Sequence, residues 1–410
     1  MGKRAIVIVF AGFYLAAQAA DIVKTNSTIY TNLSVAAAWI GATAPGTNDV
    51  ATWSTISAGA GQRNQVDANL SWKGIKLQSS LIRDITFNGT SGTTLTLGSS
   101  GIDMTQTDGS LIMNNDVSLG AAQTWAVTNT KAITVNGILS GASGNTLTKS
   151  GFGALTLAGA NTYSGGTILD AGELHVINAQ ALGTGTLTIN GGALGNNSGS
   201  TISNANNNAQ NWNGDFSFVG RNNVDLGTGA VTLGGNRTVK IGQGYCRERV
   251  DGGVDDGMNA YSLTKIGAGN LALNGSVALS TNKQLVANGG TLSFGGTLTA
   301  TETQGFGIFV GNAPNASAAM VQTGGSVTFT GTDTSNTLNV GNADTTPGGN
   351  TGASGGFGAY TMTGGTLTAT RINVAGADVL SGVTTGTNSV GLFTVLNGAT
   401  AKFTNFFIGG

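Results

Sequence analysis

One stretch of this chain occurs twice, and it constrains the fold more than any other feature. Leu147 to Leu157 and Leu263 to Leu273 share the pattern L-T-K-x-G-x-G-x-L-x-L. Its ends alternate apolar and small residues, the period of a strand with one buried face. Its middle holds two glycines, which reach the positive-φ conformations that tight corners need. The same alternation recurs at Leu95-Thr96-Leu97, Ile133-Thr134-Val135, Leu187-Thr188-Ile189 and Val327-Thr328-Phe329, with Gly or Asn close by. A sandwich would ask for longer strands and hairpin dipeptides between them. Short strands with frequent corners suit the faces of a solenoid instead, and internal repetition points the same way. A second repeat, T-G-G-x-L/V-T, occupies the C-terminal third at Thr323–Thr328 and Thr363–Thr368. The expected fold is an all-β parallel solenoid, with Leu, Ile, Val and Ala stacked inside and Thr, Ser and Asn outside.

Composition agrees with a thin, long core. The chain has 68 Gly in 410 residues, and 9% of its residues are charged, against an average of about 25%. Gly, Thr, Asn and Ser dominate every stretch and disfavour helix. Apolar residues nevertheless make up 40% of the chain, so burial is available, and hydroxyls and amides are left to solvate the surface. The net charge is −1 with no basic run, which argues against nucleic acid as a partner. A basic amphipathic helix for a membrane surface is also missing from the sequence. A single cysteine, Cys246, cannot form an internal disulfide.

Lys3 and Arg4 precede an apolar run from Ala5 to Ala17, and Ala17-Gln18-Ala19 supplies a small-x-small cleavage pattern. The run falls short of the roughly 20 residues that span a bilayer, so residues 1–19 read as a secretory signal peptide, with no transmembrane segment beyond it. Residues 20–146, which hold Trp39, Trp53, Trp72 and Trp125, are expected to form an N-terminal capping region and the first rungs. Residues 147–300 would carry the first repeat type and 301–410 the second. The sequence stops within the repeat pattern at Phe403 to Gly410. A solenoid end requires a polar cap, so the natural product is expected to be longer, and the isolated chain to associate end to end.

Leu147 to Val176 (LTKSGFGALTLAGANTYSGGTILDAGELHV) resembles the autotransporter-associated β-strand repeat, or passenger-associated transport repeat, of secreted bacterial proteins. The likeness includes the core Ala160 to Thr167 and is partial at Leu263 to Phe294, where the NTYSGGT segment is lost. The resemblance implies a right-handed parallel β-helix acting as an exported passenger or surface stalk, at the outer membrane or outside the cell. Its role would be structural or adhesive, towards extracellular polysaccharide or other surface proteins, without catalysis and without a cofactor.

Sites for chemistry are scarce. His175 is the only histidine. It alternates with Leu174 and Val176 and is expected on the outer, exposed face, and no G-x-S-x-G elbow accompanies it. Gly244 to Gly257 is the one charge-rich segment, with Arg247, Glu248, Arg249, Asp251, Asp255 and Asp256. It reads first as a solvated loop protruding between rungs. Its carboxylates Asp251, Asp255 and Asp256 are the weak candidates for a hard cation, and Arg247 and Arg249 for a polysaccharide. Those residues would also carry the alternative reading, a β-helix carbohydrate-active enzyme such as a polysaccharide lyase, or a non-catalytic polysaccharide-binding module. Trp212, in an Asn-rich stretch, is the expected exposed aromatic for sugar stacking. Far-UV circular dichroism of the exported protein should show β-structure with almost no helix; substantial helix would refute the solenoid.

Overall fold

Thr148 stands in register with Ile168, and the column continues through Thr188, Asn211, Thr232 and Asp255 to Ala278. Each of these residues belongs to a short strand, and every registered strand pair is parallel, one coil of chain lying on the next. The step is 20 residues from Thr148 to Ile168 and 23 from Thr188 to Asn211. The structure is a computed structural model, and it describes residues 20–25, 31–54, 63–78, 84–128, 130–242, 247–279, 283–300, 307–313, 315–329, 337–341, 356–374, 390–396 and 398–408. The expected signal segment and Cys246 lie outside them. Among the described residues the only helix is a single 3-10 turn, Ala36–Ala38. The chain is a parallel β-solenoid.

Beside the outward column runs an inward one: Leu147, Thr167, Leu187, Gln210, Val231, Val254 and Val277. All seven are buried while their outward neighbours are half-buried or exposed. On another face Leu111, Ile133, Leu155, Leu174, Leu194, Phe218 and Ile241 stack in the same way. A third face runs from Ile202 through Val224, Glu248, Leu271, Leu292, Met320 and Tyr360 to Phe393. Burial of these columns removes apolar surface from water at about 25 cal/mol per Å². The parallel ladders meanwhile satisfy the backbone polar groups that burial would otherwise orphan.

The repeated motif acquires a physical meaning here. Gly151 and Gly267 occupy the same corner of their coils, with φ of 70° and 80°. A Cβ there would lie 2.2 Å from the carbonyl oxygen of Val127, or 2.3 Å from that of Ile241, in the coil below. Glycine is required by stacking as much as by the turn. The lysine of the motif points inward, and Lys149 and Lys265 are both fully buried. Lys149 Nζ donates to the carbonyl oxygens of Ser150 and Gly151 at 2.8 Å and of Ala171 at 3.2 Å. Lys265 Nζ donates to those of Gly267 and Gly289, at 2.5 and 2.6 Å. Burial lowers each to a pKa of about 8, so at neutral pH each ammonium stays charged and closes its corner by binding carbonyls.

The NTYSGGT segment binds three coils together. Asn161 Oδ1 accepts the Leu139 N–H at 2.8 Å, and its Nδ2 donates to the Ala181 carbonyl at 2.7 Å. Tyr163, fully buried, pairs its hydroxyl with Thr167 Oγ1 at 2.5 Å. On the outside, asparagines form ladders: Asn136 to Asn114 at 2.7 Å and Asn114 to Asn88 at 2.9 Å.

The four early tryptophans fall into two settings. Trp39, Trp53 and Trp72 gather with Phe87 into a buried cluster, with ring centroids 5.0 to 6.3 Å apart. Trp125 stands apart as a core residue, in register between Ile102 and Lys149. Asn161→Ala should cost roughly 2–4 kcal/mol, because two buried backbone groups lose their partners. Asn213→Ala, which trims an exposed ladder contact to Asn190, should cost no more than about 1 kcal/mol. Urea unfolding of the two variants measures the contrast.

Candidate functional site

The segment from Arg247 to Asp256 was expected to leave the solenoid as a loop. It is instead part of the wall. Arg247–Val250 and Val254–Asp255 are strands, the first in register with Asn270–Leu273. Alternation decides each side chain's fate: Glu248 and Val250 face in, Arg247 and Arg249 face out. The charges that look like a loop in composition are an outward strand face plus one inward acid.

Outside, the charges pair locally. Arg249 grips Asp251 through two bonds of 2.7 Å, one from Nε and one from Nη2, and lies 3.5 Å from Asp225 in the coil below. Asn274 Nδ2 donates to the same Asp251 at 2.8 Å. Asp255 accepts the Gly257 N–H at 2.8 Å. Asp256 is buried and uses both oxygens on the turn that follows, accepting from the Met258 and Tyr261 N–H groups at 3.0 and 3.1 Å. Asp251, Asp255 and Asp256 are therefore committed to the wall and its turns rather than converging on one point. Among the described residues no group of three or more His, Cys, Asp or Glu side chains is placed to hold a metal ion.

Glu248 is the residue that composition conceals. It is fully buried between Val224 and Leu271 of its column. Neither carboxyl oxygen has a hydrogen-bond partner among the described residues. Burial pushes its pKa up to about 8, which keeps it protonated at neutral pH. The signal was available in Arg247-Glu248-Arg249-Val250: a period of two places the acid on the valine's face.

Trp212 is a correction. It is fully buried, with its ring 5.0 Å from Phe216 in a T-shaped contact, and its Nε1 donates to Gln210 Oε1 at 3.1 Å. No face is free to stack on a sugar. The same device occurs at Gln123-Thr124-Trp125, where Nε1 to Oε1 is 2.9 Å. Gln-x-Trp on one strand face buries an indole with its donor satisfied, and that spacing was the legible clue. His175 points away from Leu174 as expected, yet it is 8% exposed. Its Nε2 meets Glu173 at 2.8 Å and its Nδ1 meets Asn197 at 3.2 Å. Both ring nitrogens are engaged in local contacts.

The fold and this inventory define a class: a repetitive parallel solenoid whose polar residues serve the wall. Residues 147–176 carry the passenger-associated transport repeat. Over 264 residues, 62% of the chain, the sequence is 32% identical to the adhesin BmaC autotransporter of Brucella suis biovar 1 (strain 1330). The matched region is 6% of that relative's length. No solved structure matches the chain.

Glu248 sets an unusual pH dependence. Its folded pKa is above the unfolded value of about 4.3, so its contribution to stability is full below that value and is lost as pH rises through about 8. Wild-type stability should fall by a few kcal/mol from pH 5 to pH 8. Glu248→Gln should flatten that slope and Glu248→Leu should stabilise the protein at pH 8, both read from urea unfolding at each pH.

Proposed function

We propose that the chain is a stretch of an exported bacterial passenger, displayed at or released from the cell surface, with a structural and adhesive role. The 264-residue likeness to an autotransporter adhesin carries this reading, and the transport repeat at 147–176 supports it. The solenoid suits the role physically. Each coil contacts only its neighbours, so the rod gains reach by adding coils and keeps a continuous core. Its exposed Thr, Ser and Asn side chains supply hydroxyls and amides, which stay solvated outside the cell without relying on charge.

We propose further that the chain is not an enzyme. Catalysis needs ionisable groups converging on one reacting atom, and Asp251, Asp256, His175 and Arg249 are each spent on local contacts. A polysaccharide lyase would need those groups free. Residues 1–19 would direct export and be removed after Ala19.

Expression in a Gram-negative host should yield an exported protein whose first residue is Ala20. Beads coated with that protein should adhere to immobilised cell-surface polysaccharide above uncoated beads. Retention in the cytoplasm with Met1 intact would overturn the export reading, and absence of adhesion would overturn the adhesive one.

A further inference from the structure

Phe152 is a large side chain that the solenoid core does not use. It lies at the corner of the repeat motif between Gly151 and Gly153, and it is 73% exposed. The second copy of the motif has Ala268 at the equivalent place and turns the same corner, with Gly267 at φ 80° against 70° for Gly151. The turn therefore works without an aromatic ring. Burying a benzyl group is favourable, and leaving one in water on a corner that accepts alanine gains the fold nothing.

The ring forms one wall of a groove of about 470 Å³. That volume lies within the range of about 300–1,000 Å³ typical of ligand sites. The groove runs across the corners of three successive coils. The lowest coil gives Thr105, Gln106 and Asp108, the middle one Thr128 and Thr130, and the top one Phe152. Gln106, Asp108 and Thr130 are exposed there. Thr105 and Thr128 are held in place, the first by a 2.7 Å bond to Asp103 and the second by a 3.5 Å bond to the Thr107 carbonyl. Asp108 is the one charged residue lining the groove among the described residues.

This lining has a definite chemistry. An aromatic face attracts the partly positive C–H groups of a pyranose ring. Hydroxyls and one amide donate to and accept from sugar hydroxyls, and one carboxylate accepts from them most strongly. Among the described residues no cation lines the groove to receive a uronate or sulfate, and Asp108 repels both. The lining spans three coils, about 10 Å at 4.8 Å per step, room for two sugar units along a chain.

We infer that this groove binds an uncharged polysaccharide, with Phe152 as the stacking platform and Asp108, Gln106 and Thr130 as its hydrogen-bonding rim. The inference rests on the adhesive reading above and names the ligand class that adhesion would use.

The test is calorimetric titration of the exported protein with the neutral hexasaccharides of cellulose, xylan, mannan and β-1,3-glucan. At least one should bind, with an affinity unchanged between about 50 and 500 mM salt, since no ion pair is formed. Phe152→Ala should weaken that binding at least about tenfold and Asp108→Asn several-fold, while Phe152→Trp retains it. The exposure of Phe152 keeps these variants folded, which an unchanged melting temperature verifies. Binding by none of the four sugars, or equal binding by Phe152→Ala, would overturn the inference. Adhesion separates the two readings. Phe152→Ala beads that adhere like wild type would sink the groove and spare the adhesive role. Phe152-dependent sugar binding on beads that do not adhere would do the reverse.

Discussion

Everything in this molecule depends on the parallel register of one coil on the next. Each strand is three to five residues long over much of the chain, too short to be stable alone or in a hairpin. Stacking solves this, because each coil supplies hydrogen-bond partners to two neighbours and extends several side-chain columns at once. The register also explains which residues are tolerated. A corner glycine such as Gly151 is held by the carbonyl beneath it, and Asn161 by the coils on both sides. A change at Gly151 is felt by the coil beneath and one at Asn161 by the coils on both sides.

The same geometry governs where charge can go. Inward positions continue through every coil, so an ionisable group in a column must find its partners within a few ångströms or lose its charge. Lys149 and Lys265 take the first course, bonding to carbonyls that the corner turns away from the ladder. Glu248 takes the second and is held protonated by burial. Outward, Arg249 and Asp251 pair within one coil and reach Asp225 in the next. This economy of charge matches a chain in which 9% of residues are charged.

Much of the fold was legible in sequence because its signal is local. The period-2 runs and the corner glycines of L-T-K-x-G-x-G-x-L-x-L translate directly into strands and turns. The errors arose where composition was allowed to outweigh period. Arg247 to Asp256 looked like a loop because it is charged, yet its alternation is that of a strand. Trp212 looked exposed because asparagines surround it, yet Gln210 and Trp212 share a face and satisfy each other. His175 was placed on the correct side, but contacts from Glu173 and Asn197 cover it, and a coil-to-coil contact leaves no local mark. The groove at Phe152 was illegible for a related reason: its walls come from residues more than 40 positions apart, joined only by stacking.

The register itself is open to direct measurement by pulsed electron paramagnetic resonance, with Cys246 replaced by Ser and nitroxides placed pairwise on the outward column. Thr148 is two coil steps from Thr188, four from Thr232 and six from Ala278. At about 4.8 Å per step, the distances between labelled backbones should rise linearly, to about 19 Å at Thr232 and about 29 Å at Ala278. Distances that level off, or that shorten between Thr232 and Ala278, would contradict the parallel solenoid.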